Sequence, residues 1–293
     1  MSHFVDVSER AIVSLVGTES LDLLQRISTN DVAKINAGGS AQTVLTNEKG
    51  RIVEVISVLD RGEDGLLAVG QSSDPVALKQ YIEKYIIMED IILEVLSDQM
   101  THVMLFDSMQ NVADVIHPSV LRECLIFDEA FSTVRLTHVV VGSAFRQVVL
   151  KELLAAGVVE NSQSEYEEFR VLNGVPGFPG ELSLLYNPLE AGLLPLVSFT
   201  KGCYVGQEVV ARLDTYKKVQ RRLVRLGMKD LPAELPEKIY HEGQEWGSLT
   251  SAVRLSGTLE CRGLGYVRTG SELVPESLCF HKGTEAINLV VES

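Results

Sequence analysis

Lys201-Gly202-Cys203-Tyr204-Val205-Gly206-Gln207-Glu208-Val209-Val210-Ala211-Arg212 is the stretch whose reading orders the rest of the chain. Two glycines flank a Cys-Tyr pair, so the backbone there can turn tightly and approach a neighbour without an intervening side chain. Gln207 and Glu208 open a helical pattern that sets Val209, Val210 and Leu213 on one side. Glu208 falls in the first turn, where the helix dipole favours negative charge. A lone cysteine is more often a small buried hydrophobe than a reactive thiol. Adjacent Lys201 and a nearby helix N-terminus would each favour the thiolate, the nucleophilic and metal-binding form.

Beyond Tyr216 the texture changes. Short apolar runs at 223–226, 247–250, 252–255, 264–267 and 287–291 are separated by turn residues, the pattern of a small antiparallel barrel of about 75 residues. Upstream, strands and helices alternate. Residues 11–16 read as a strand ending at Gly17, and Leu21, Leu24 and Ile27 follow at helical spacing. A turn at 47–50 joins strands at 43–45 and 52–59, and a second at 61–65 leads into 66–69. Pro75 suits the first position of a helix reaching about residue 87, and 91–96 returns as a strand. Between 102 and 157 the mixture recurs, with a strand at 139–141 and a helix at 144–156 capped by Gly157. Another helix starts at Ser162 or Ser164 and passes Glu165, Phe169 and Leu172. The glycine- and proline-rich run 173–180 is irregular: it borders a site or is an interdomain turn. The expected division is 1–100, 101–215 and 216–293, in the α+β class.

The chain has 293 residues and a net charge of −14, a field that repels polyanions, so direct nucleic-acid binding is not expected. One basic cluster, Lys217, Lys218, Arg221, Arg222 and Arg225, is either a solvated face or an anchor for an anionic ligand tail. No run approaches the roughly 18 apolar residues that span a bilayer. The opening Met1-Ser2-His3-Phe4-Val5-Asp6 lacks the basic and apolar regions of a signal peptide. A cytoplasmic protein without membrane partners is therefore expected. Cysteines at 124, 203, 261 and 279 form no C-x-x-C pair, and the six histidines form no constellation, so free thiols and no metal site are expected.

The motif Lys201-Gly202-Cys203-Tyr204-x-Gly206-Gln207-Glu208, fixed at all positions but one, resembles the signature of YgfZ-type folate-binding proteins in the aminomethyltransferase (glycine cleavage T-protein) superfamily. Asn187-Pro188-Leu189-Glu190-Ala191-Gly192-Leu193 upstream and Val209-Val210-Ala211-Arg212 downstream support it. Residues 24–32 and 46–52 are similar to the superfamily's first-domain motifs. Arg170 and Gly174 fit its R-x-x-x-G element, and 246–251 fits its barrel, where a Gly-x-x-Thr-Ser turn is usual.

The resemblance implies an α+β fold: two ferredoxin-like α+β units around a central folate-sized pocket, plus a C-terminal antiparallel β-barrel. It implies tetrahydrofolate or a derivative as cofactor. Arg170, Glu190, Arg212 and Arg222 would be its charged contacts, and Tyr186 and Tyr204 flat walls. It further implies a role in assembly or repair of [4Fe–4S] proteins, radical-SAM tRNA-modifying enzymes among the partners. Cys203 would be the functional thiol, accompanied by Lys201, Tyr204, Gln207 and Glu208. Three departures set the chain apart from active transferases. Glu54 and Val55 stand where those enzymes carry adjacent aspartates, Leu172 where a glutamate holds the pterin edge, and Cys203 where aspartate is usual. An active aminomethyltransferase is thus not expected. Two alternatives stay open: a one-carbon transferase using Glu54 as its acid–base group, and a scaffold that no longer takes folate.

Overall fold

The computed structural model describes residues 2–108, 111–131, 134–216, 218–269 and 277–292. It forms two compact units. The first comprises Met1–Thr46, Val53–Gln163 and Pro195–Val205, the second Asn47–Ile52, Ser164–Leu194 and Gly206–Ser293. In chain order the elements begin β1 (His3–Asp6), β2 (Ile12–Val16), α1 (Ser20–Ile27), β3 (Ser40–Thr46), β4 (Ile52–Asp60), β5 (Leu66–Gly70), α2 (Pro75–Glu83) and β6 (Ile92–Val95). There follow β7 (Met100–Phe106), the single turns α3 (Val112–Val115) and α4 (Pro118–Leu121), β8 (Leu125–Asp128), β9 (Leu136–Gly142), α5 (Arg146–Ala155) and β10 (Val159–Glu160). After α6 (Gln163–Leu172) and α7 (Gln207–Thr215) come β11 (Arg221–Met228), β12 (Glu237–His241), β13 (Gln244–Arg254), β14 (Cys261–Arg268), β15 (Leu278–Lys282) and β16 (Glu285–Glu292).

Two sheets build the first unit. One has strand order β3-β4-β5-β2-β6. With α1 after β2 and α2 after β5, the strands β2, β4, β5 and β6 follow the ferredoxin-like β-α-β-β-α-β pattern, and β3 extends the sheet beside β4. The other, β10-β1-β7-β9-β8, repeats that pattern, except that β1 from the head of the chain is inserted between β10 and β7. It runs parallel to the first and antiparallel to the second. Period-two alternation decides the packing. Val13, Leu15, Ile56 and Val58 pack with Leu23, Leu24 and Ile27 of α1 and Leu78 and Ile82 of α2. Ile12, Leu59, Leu67 and Val69 point the other way and meet Phe127 and Val140 of the second sheet. The helix α2 begins at Pro75, with the Asp74 carboxylate accepting from the Ala77 N–H, but ends at Glu83, short of the expected residue 87.

In the second unit β11-β14-β13-β12-β15-β16 close a six-stranded antiparallel barrel around Leu226, Ile239, Leu249, Val267, Phe280 and Ile287. Sequence reading placed two short strands at 247–250 and 252–255; they are one strand, β13, with a register shift between Leu249 and Ser251. The turn expected there by resemblance is this bulge, which re-aims side chains without ending the strand. β12 and β15, absent from that reading, bury few side chains: Ile239 alone in β12, Leu278 and Phe280 in β15. No helix among the described residues is long and apolar enough to cross a membrane.

Candidate functional site

Residues 195–205 form a strap on the first unit, tied down at both ends. The Thr29 hydroxyl donates to the Leu196 carbonyl at 2.5 Å, and the Ser198 N–H donates to the Thr29 carbonyl at 3.0 Å. At the far end the Thr46 hydroxyl donates to the Val205 carbonyl at 2.6 Å, while the Val205 side chain packs on the core under α1. Between these anchors the Lys201 ammonium donates to three carbonyls, those of Gln25 (2.6 Å), Ser28 (2.8 Å) and Asn30 (2.6 Å). The last carbonyls of a helix have no intrahelical partner and carry the negative end of its dipole. Lys201 thus caps α1 and fixes the turn behind it. Its ammonium is engaged by these acceptors, a structural role that the sequence reading, which set it beside the thiol, did not foresee. Burial pulls its pKa down to about 8, opposed by the charge of Asp31.

Tyr204 is buried, with Lys201 Nζ 5.5 Å from its ring centre. Its hydroxyl has no hydrogen-bond partner among the described residues, and burial pushes its pKa up to about 12. Cys203, between these two anchored side chains, is exposed, as is Gly202. Of the four free cysteines, it is the one the fold leaves open: Cys261 is buried, and Cys124 and Cys279 are half-buried. Gly206 follows with φ +82° and serves as N-cap of α7, a backbone state that disfavours side chains. Gln207, half-buried, and Glu208, exposed, occupy the first turn of α7 in the second unit.

Glu54 is 3% exposed. Its Oε1 accepts from the N–H groups of Val55, Gln71 and Ser72, and its Oε2 from the Ser72 hydroxyl. Burial, the largest influence, raises its pKa, and those four hydrogen bonds oppose the rise. The carboxylate is sealed into a structural role, which counts against it as an acid–base group reaching a substrate.

The expected folate contacts lie in the second unit apart from Tyr204. Arg170 uses all five N–H donors within the protein. It forks onto Glu167 (2.6 and 2.5 Å) and bonds Glu181 (2.9 Å), the Val175 carbonyl (3.2 Å) and Ser251 (2.7 Å). A Cβ on Gly177 would sit 2.8 Å from its Cζ, so a side chain there would displace the guanidinium from this network. Glu181, fully buried and not singled out from sequence, is the hub. It accepts from Arg170, the Gly177 N–H, Thr250 and Ser251, and its carbonyl accepts from the Tyr266 hydroxyl at 2.8 Å. Tyr186 is buried and stacks on Tyr266 with centroids 3.4 Å apart. Glu190 is buried, accepting from Arg51 (3.1 Å) and the Asn187 N–H (3.0 Å). Arg170, Tyr186 and Glu190 are therefore each engaged within the protein's own framework. Arg212 in the last turn of α7 and Arg222 on β11 are exposed and join none of these networks.

The histidines, read as having no constellation, do form one. His102 Nε2 lies 2.8 Å from His138 Nδ1, whose Nε2 lies 3.0 Å from Glu129 Oε2, all in the first unit. Gln71 donates to the same oxygen at 3.2 Å. With Glu129 ionised, His138 donates from Nε2 and His102 donates to His138, which leaves His102 Nδ1 an acceptor without a partner among the described residues. Burial lowers both histidine pKa values, for His138 against the pull of Glu129. Each sits within an apolar strand, 100–106 or 136–142, but their meeting is set by β7–β9 pairing, 36 residues apart in the chain. No group of three His, Cys, Asp or Glu side chains suited to a metal ion occurs among the described residues.

No family model matches the chain. A chloroplastic protein of Arabidopsis thaliana named as a transferase is 27% identical over 283 residues; the match covers 90% of this chain, which spans 65% of that protein's length. The tRNA-modifying protein YgfZ of Colwellia psychrerythraea is 24% identical over 84% of this chain and 78% of its own. An aminomethyltransferase of Halalkalibacterium halodurans is 24% identical over 85% of this chain and 74% of its own. Among solved structures, the glycine cleavage system aminomethyltransferase T from Bartonella henselae superposes with a TM-score of 0.84 over 100% of this chain and 85% of that one. At 17% identity the likeness establishes a shared fold.

Proposed function

We propose that this chain, which belongs to the superfamily of the aminomethyltransferases and the YgfZ-type proteins, is an accessory factor that supports [4Fe–4S] proteins, radical-SAM tRNA-modifying enzymes included, through the thiol of Cys203. One observation carries the reading: the strap is pinned by hydrogen bonds on both sides of a cysteine that is itself exposed. A fold that wanted only packing from this residue type would bury it. The thiol works as a redox group or as a transient iron ligand. In the second case a client must supply the other ligands, since no group of three ligating side chains suited to a metal occurs among the described residues. The sealed Glu54 and the apolar Val55 support a role other than aminomethyl transfer. Replacing Cys203 by serine should abolish rescue of [4Fe–4S] enzyme activity in a strain lacking the gene; full rescue by C203S would remove the thiol from the mechanism.

Tetrahydrofolate is proposed as ligand on the strength of the homology. Arg170, Tyr186 and Glu190 are engaged within the protein, whereas Arg212 and Arg222 have exposed side chains. Calorimetry decides the point: binding weaker than about millimolar favours a scaffold without folate, the reading that Leu172 and the engaged Arg170 support. The division at residues 100 and 215 and a cytoplasmic location belong to the same proposal.

A further inference from the structure

The start of the barrel carries a concavity of about 510 Å³ lined by Lys218, Val219, Gln220, Arg221, Arg268 and Thr269. Arg221 of β11 and Arg268 of β14 are directly opposite in the antiparallel register. Like charges in that position repel and destabilise a sheet. Neither arginine, nor Lys218 nor Arg222, forms an ion pair among the described residues, and all four side chains are exposed. The acid whose charge reaches both arginines, Glu245, is bonded to Lys238 at 2.8 Å. Lys217 lies outside the described residues.

The rim is built to hold this charge in place. Thr269 donates its N–H to the Gln220 carbonyl at 2.9 Å and its hydroxyl to the Val219 carbonyl at 2.6 Å, fixing the segment that carries Lys218 against the end of β14. Arg268 rests on Trp246, its Cζ 6.0 Å from the ring, and Lys218 Nζ lies 5.6 Å from the centre of the Tyr216 ring. Aromatic support holds a cation without neutralising it, leaving guanidinium forks suited to carboxylate or phosphate oxygens.

We propose that this concavity binds a small polyanion bearing two or more carboxylate or phosphate groups. The size of the occupant follows from the charge distribution. A chain of net charge −14 repels an extended polyanion, whereas a few clustered cations satisfy a compact one. The proposal does not rest on the role of Cys203, so the two can fail separately.

The test is calorimetric titration of the full chain, at about 50 mM and about 200 mM salt, with pyrophosphate and with citrate. The wild type is compared with the double variant R221Q/R268Q and with K229Q, a lysine elsewhere on the barrel that pairs with Glu285. One-to-one binding of either probe is expected, weakened roughly tenfold or more in the double variant, unchanged in K229Q and reduced at the higher salt. The two probes tell phosphate from carboxylate preference. Thermal melting supplies the second readout. Without anion the double variant should melt no lower than wild type, because a repulsion has been removed, and pyrophosphate should raise the wild-type midpoint alone. Absence of heat with both probes, equal loss in K229Q, or a lower melting point in the double variant would overturn the proposal. So would tighter binding of a single-stranded oligonucleotide than of pyrophosphate at the same salt.

Discussion

Lys201 shows how one side chain can serve a site without touching its chemistry. Three carbonyls from the end of α1 and the turn behind it converge on its ammonium, so Lys201→Met would strand those acceptors and should cost about 1–3 kcal/mol in urea denaturation. A loss under a few tenths would show that the cap is incidental. Cys203 differs from its fellow thiols by access. Burial, aided by Glu152 and Glu123, pushes the Cys124 thiol up to about 11, and burial raises that of Cys261. Iodoacetamide on the native protein at neutral pH should therefore modify Cys203 first, as read by peptide mapping; equal labelling of Cys124 or Cys261 would contradict the assigned exposure. Arg170 lies at the other extreme, fully hydrogen-bonded and nearly sealed. Arg170→Ala leaves buried Glu181 without its ion-pair partner, and about 3–5 kcal/mol of stability should be lost; a neutral effect would count against a framework role for Arg170.

Elements matter here through what their pairing brings together. The register of β7 against β9 sets His102 beside His138, and the chain from 125 to 138 returns Glu129 to the same place. His102 has a folded pKa well below its ordinary value because burial excludes the charged ring. Below about pH 6.5 the unfolded chain takes up a proton there that the folded chain refuses. Stability must accordingly fall as pH drops through that value, by at most about 1.4 kcal/mol per pH unit for this group. Compared with wild type, His102→Asn should show a shallower loss of denaturation free energy between pH 7.5 and 5, whatever its absolute stability; parallel curves would mean that the ring is charged in the fold. The strap and α7 meet at Gly206, whose φ of +82° disfavours other residues. A Gly206→Ala change should therefore cost about 1–2 kcal/mol.

At the scale of the whole chain, the division into two units is not a division of the sequence. The polypeptide passes from one unit to the other after residues 46, 52, 163, 194 and 205. A fragment of residues 1–163 would lack the strap that Thr29, Thr46 and the end of α1 require. It should show no cooperative thermal transition by circular dichroism; a sharp one would mean that the strap is dispensable. Much of the architecture was legible beforehand. Alternation in 52–59, the apolar run 139–141, the helical spacing of Leu21, Leu24 and Ile27, and the short spaced strands after Tyr216 are local patterns, which neighbouring residues encode by themselves. The motif around Cys203 and the missing aspartate pair were equally plain, being matters of residue identity. What the sequence left open were the convergences. Arg170 meets Ser251 across 81 residues, His102 meets His138 across 36, and Lys201 reaches carbonyls more than 170 residues away. Such partners are chosen by sheet register and chain crossings, which no local pattern records. Exposure of a thiol or engagement of an arginine is likewise a property of the surroundings, not of the residue type. Periodicity and residue identity thus settled the elements and the motif, while tertiary packing alone decided which polar groups are framework and which are left to act.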